Sequence, residues 1–139
     1  MRCLQLLALL SIAPAALAAT PLAPPPTEIE AYIIEPKDGA TVSNPVRVVF
    51  GLRGMGIAPA GVNALNTGHH HLLIDSDLPR LDQPIPKDDK HLHFGGGQTE
   101  TLLILLPGQH TLQLLVGDYA HMPHTPPIAS PKITINVRL

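Results

Sequence analysis

Toward the end of this chain, apolar residues recur at every second position. Ile133, Ile135 and Val137 alternate with Lys132, Thr134, Asn136 and Arg138. That is the period of a strand with one buried face and one wet face. Val46, Val48, Phe50 and Leu52 repeat it against Arg47, Val49, Gly51 and Arg53, and Leu112, Leu114 and Val116 repeat it against Thr111 and Gln113. From Ile29 onward no segment has a helical period.

Turn residues punctuate these segments. Pro36-Lys37-Asp38-Gly39 and Pro107-Gly108 combine a fixed φ with a residue that accepts positive φ. Short strands, regular turn signals and no helix predict an all-β fold, a single immunoglobulin-like β-sandwich of about seven strands. We expect strand A over 29–35, B over 46–52, C over 69–75 and a weak D within 76–90. E follows over 99–106, F over 110–117 and G over 132–137. In E, Leu102, Ile104 and Leu106 alternate with Thr101, Leu103 and Leu105. The strand, Pro-Lys-Asp-Gly turn, strand opening resembles that of many immunoglobulin-like bacterial modules, without the paired cysteines and core Trp of antibody domains.

The first residues read differently. Met1-Arg2 is followed by an almost wholly apolar run from Leu4 to Leu17, and Ala16-Leu17-Ala18 has the form of a signal-peptidase site. The run is shorter than the roughly 20 residues of a membrane span. Residues 1–18 are therefore expected to be a signal peptide, 19–28 a Pro-rich linker and 29–139 the sandwich domain. The expected location is periplasmic or secreted. Cys3 has no lipobox before it, so no lipid anchor is expected. It is the only cysteine, so the mature domain would have neither disulfide nor thiolate ligand. About 120 residues suffice for one core.

The formal net charge is −2, with no basic patch and only two Tyr and two Phe. Nucleic acid is excluded on those grounds, and sugar stacking is poorly supplied. Neither Gly-x-Ser-x-Gly nor His-Glu-x-x-His occurs. A binding protein is expected rather than an enzyme. A histidine-bound metal with an open position could activate water, but no general base stands out.

Histidines carry the chemistry. His69-His70-His71 begin strand C, His91 and His93 fall in the D–E connection, and His121 and His124 fall in the F–G loop. In an immunoglobulin-like sandwich these connections gather at one end, so seven of the eight histidines are expected at one pole and His110 at the other. His70 shares a face with Leu72 and Ile74 and is assigned to the core, with a backbone partner. Imidazole suits zinc, copper and nickel. His69, His71, His91, His93, His121 and His124 are the candidate metal ligands. Copper is favoured over zinc on affinity order, and Met55 and Met122 would suit its cuprous form. Asp75, Glu100 and above all Asp118 are candidates to orient the rings. Gly95-Gly96-Gly97 is read as a device for positive φ and close packing.

His69-His70-His71-Leu72-Leu73-Ile74-Asp75, His91-Leu92-His93-Phe94-Gly95-Gly96-Gly97-Gln98-Thr99-Glu100, and Pro107 to Leu114 through Gly117-Asp118 to His121-Met122-Pro123-His124 resemble a family of small exported bacterial proteins, the domain of unknown function 4399. The likeness runs roughly from Ala40 to Val137. It implies export and a compact β domain, and carries no established reaction. The alternative to a metal protein is a metal-free interaction or structural module of the cell envelope, whose polar pole or sheet edge binds another protein.

Overall fold

The structure is a computed structural model and describes residues 28–138. The expected signal peptide and nearly all of the linker lie outside the described residues. Every regular element described is a strand: β1 (Glu30–Glu35), β2 (Thr41–Ser43), β3 (Val46–Arg53), β4 (Gly56–Ile57), β5 (Thr67–Ile74), β6 (His91–His93), β7 (Glu100–Leu103), β8 (Gly108–Gly117) and β9 (Ile133–Arg138). No helix among the described residues is long and apolar enough to cross a membrane.

Two sheets pack face to face. One is antiparallel, in the order β1-β3-β7; the other runs β2-β9-β8-β5-β4, with β6 also paired to β5. Strands A, B and E on one side and G, F and C on the other are the partition of an immunoglobulin-like sandwich. The alternation seen in the sequence fills the space between. Val46, Val48 and Phe50 of β3 meet Leu72 and Ile74 of β5, Leu112, Leu114 and Val116 of β8, and Ile135 and Val137 of β9. Burying each such side chain is worth on the order of 1.5–3 kcal/mol. The core therefore holds the fold without a cross-link.

Besides the short added strands β2 and β4, the structure departs from the expected strands in three places. No strand D forms within Ser76–Lys90; that segment is a loop apart from a bridge between Asp88 and His91. It lacks alternation and carries Pro79, Pro84 and Pro86, each without the N–H a ladder needs. The chain then re-enters the six-stranded sheet as β6, so His91 and His93 are strand residues rather than loop residues. Strand E ends at Leu103. Leu103 is buried opposite Val46 of β3, which fixes the odd-numbered residues inward. Leu102, Ile104 and Leu106 are left 64%, 78% and 79% exposed. Just beyond β7, the side chain of Asn44 replaces a rung of the ladder. Its Nδ2 donates to the Leu105 carbonyl at 2.7 Å, and its Oδ1 accepts from the Leu105 amide at 3.0 Å.

The outer face of the six-stranded sheet is covered. The loop between β5 and β6 folds back so that Ile85 packs with Leu73, Leu115 and Ala129. This cover creates the surroundings of the histidines.

Candidate metal centre

In β5, alternate residues face opposite sides of the sheet. His70, Leu72 and Ile74 point into the core; His69, His71 and Leu73 point outward, under the cover. All three histidines are buried. Pairing of β6 with β5 sets His93 opposite His71 and His91 opposite Leu73. The turn after β8 brings in His121, at a φ of 66° that few residues other than glycine adopt. Asp118 fixes that turn: its Oδ1 accepts from the amides of Ala120 (2.8 Å) and Met122 (2.9 Å). The Ile85 amide donates to the His121 carbonyl at 2.8 Å.

Four rings thus converge on the outer face of the sheet, beside the turn that follows β8, rather than across the tip of the sandwich. Ring centroids of His69, His71, His93 and His121 lie 4.7–6.0 Å apart. Ligand nitrogens of His69, His71 and His93 all lie within 4.8 Å of one another. His93 Nε2 is 3.2 Å from His69 Nε2 and 3.1 Å from His121 Nε2. Metal–nitrogen bonds of 2.0–2.1 Å in a tetrahedron separate ligand nitrogens by about 3.3 Å. The observed spacing is close to that.

Protonation also fits. Burial, then repulsion from His93 and His121, lowers the pKa of His69 to about 4, although Asp118 opposes this. Burial, then the neighbouring histidines, lowers His71 to about 3. His93 is lowered too, by burial, His121 and Lys87. At neutral pH His69 and His71 are therefore neutral imidazoles, the form a metal requires. Hydrogen bonding alone leaves them poorly served. Both nitrogens of His71 and Nδ1 of His69 are buried without a partner. His93 Nε2 faces two other nitrogens, yet a neutral ring nitrogen carries only one proton or one lone pair. An ion at the centre would satisfy His69, His93 and His121 together. The residues present fit a transition metal.

Two glycines admit the rings. A Cβ on Gly95 would overlap the His93 ring, and one on Gly117 would lie 2.9 Å from His71 Cε1 and 3.2 Å from Ile85 Cδ1. Within the triple glycine, only Gly97 has a positive φ, 82°. Both readings of the run, conformation and close packing, are therefore realised, at different residues. The supporting role of Gly117 and the covering role of Ile85 were missed at the level of sequence. The Gly117-Asp118 pair is the one signal that could have pointed to the first.

The remaining candidates lie elsewhere. His91 Nδ1 is 2.8 Å from Asp88 Oδ1, and its Nε2 is 3.3 Å from Ser76 Oγ, so both nitrogens are engaged. His124 and Met55 line a separate cleft with Asn66 and Thr125; His124 Nε2 is buried there without a partner. That cleft is larger than the opening beside the cluster, but it lacks the convergence of nitrogens. His70 sits in the core against Phe50, with ring centroids 5.2 Å apart. Neither of its nitrogens has the backbone partner expected, and burial, then His69, lowers its pKa to about 4. Of the carboxylates, Asp118 is near the cluster; Glu100 pairs with Arg47, and Asp75 with His110.

No curated protein and no solved structure matches the chain at a significant level. A family model described as Domain of unknown function (DUF4399) matches residues 48–138. That span runs from β3 to the end of β9 and takes in every ring of the cluster, so the chain belongs to this family.

Proposed function

We propose that this chain is an exported protein that binds a transition metal at His69, His71 and His93, with His121 as a fourth ligand. The supporting observation is the set of three imidazoles on paired strands, with ligand nitrogens within 4.8 Å of one another. Paired strands hold such a geometry more rigidly than loops do. The ligand set is all nitrogen, and for such a set copper(II) stands above zinc in affinity order. Copper is therefore the favoured ion. Export rests on the apolar run Leu4–Leu17 and the Ala16-Leu17-Ala18 site, which support a periplasmic or secreted location.

Calorimetric titration of metal-free protein with copper(II) and with zinc tests this reading. One equivalent of copper is expected to bind, more tightly than zinc. Absence of a saturable site for either ion would return the four rings to a structural role.

One observation favours the other reading, a cell-envelope interaction module. Leu102, Ile104 and Leu106 form an exposed apolar ridge on and just beyond the edge strand β7. A stoichiometric protein partner that co-purifies through chelator washes, and is lost when Ile104 becomes Lys, would support it.

A further inference from the structure

We propose that the loaded metal takes a small anion as a further ligand, from a pocket in which Lys87 supplies the facing positive charge. This inference rests on the metal reading. The pocket is lined by His71, Pro84, Ile85, Lys87, His93 and His121 and measures about 330 Å³. It opens on three of the four rings; His69 takes no part in its wall. At about 30 Å³ per water molecule, the volume holds roughly eleven waters and so admits an anion of a few atoms together with its water.

Charge decides what enters. Four imidazoles are neutral ligands, so a divalent ion among them keeps its full charge. The nearby carboxylates keep their charge, and Asp118 acts on His69, but their oxygens are committed to other partners. Asp118 Oδ1 holds the turn amides, and Asp88 Oδ1 holds His91 Nδ1 and the amides of Lys90 and His91. Lys87 makes no ion pair among the described residues, and its charge reaches the His93 ring. A cation beside an ammonium that makes no ion pair, in a half-enclosed pocket, draws a counter-ion. Pro84 and Ile85 supply apolar walls, which favour a small, weakly hydrated monoanion such as azide, a halide or a short carboxylate over phosphate.

The full chain loaded with one equivalent of copper(II) is titrated with sodium azide, and the azide-to-copper charge-transfer absorption is followed. Wild type is expected to give a saturable band. Lys87→Gln should weaken azide binding roughly twofold to fivefold, the worth of one exposed charge. The matched Lys37→Gln change, in the turn after β1, should leave the azide curve where it was. Copper binding without an azide band, or equal azide affinity in Lys87→Gln, overturns this proposal alone. Failure of copper to bind in the preceding calorimetric step overturns the metal reading and this one together.

Discussion

The molecule holds two histidine sites with opposite physics. At the cluster, imidazoles face one another under Ile85, and burial with mutual repulsion keeps His69 and His71 neutral. At the other end of β8, His110 Nδ1 lies 2.7 Å from Asp75 Oδ2 and its Nε2 lies 2.8 Å from the Leu106 carbonyl. A carboxylate and a carbonyl only accept, so this geometry is fully satisfied by the imidazolium form, in which both nitrogens of His110 donate. Burial opposes that charge, but the bonds to Asp75 and Leu106 outweigh it and raise the pKa. The same side chain is a ready metal ligand in one place and a group that favours its cationic form in the other. Partners decide which, not the number of histidines.

The largest expected effect separates the two by pH. His69, His70 and His71 have folded values near 4, 4 and 3, below the ordinary 6.5. As pH falls below 6.5 the unfolded chain takes up protons and the folded one does not. Each of these histidines then removes about 1.4 kcal/mol of stability per pH unit. Urea unfolding of metal-free protein should show a steep loss between pH 6.5 and 4.5. The His110–Asp75 pair acts the other way. The His110 contribution is complete below 6.5 and fades as pH rises through its raised value. The Asp75 contribution is complete above its ordinary 3.8 and fades as pH falls through its lowered one. A flat acid limb would contradict the neutral assignment of the buried rings.

Replacing His93 and His121 together by Ala should lower copper affinity by more than about a hundredfold, since loss of outer partners alone costs tenfold to a hundredfold. His110→Ala should leave it unchanged. Equal losses in both variants would erase the contrast between the sites. Asp75→Ala removes acceptors from His110 and from the Thr111 amide, the latter at 2.8 Å. It should cost roughly 1.5–3 kcal/mol of stability with no change in metal titration. The smallest effect is expected at His91, already held by Asp88 and Ser76. His91→Ala should leave copper affinity within about threefold, as for a site without shared partners. A larger loss would bring His91 into the coordination shell.

Strands whose two faces differ in polarity were readable directly. β3, β8 and β9 lie within two residues of their expected bounds, because one face is apolar and the other is not. Between Thr101 and Leu106 both faces are aliphatic, so the sequence is silent on which turns inward; the register with β3 decides. β2, β4 and β6 are two or three residues long, too short to show any period. The histidines of β5 could be assigned to faces by parity alone. That His93 lies beside His71 is a matter of register between segments more than twenty residues apart. His121 depends on a turn closed by Asp118. Both are tertiary facts that no local pattern carries.

The Asn44 side chain that completes the ladder at Leu105 has a chemical consequence. It donates and accepts at once, which an aspartate could not do. Asparagine ages to aspartate chiefly by attack of the next residue's backbone nitrogen on the side-chain amide. That nitrogen belongs to Pro45 and carries no hydrogen, so the cyclic imide cannot form by this route. The amide that stands in for backbone is thereby protected from the reaction that most often destroys such amides, and the edge beside β7 should keep its pairing as the protein ages.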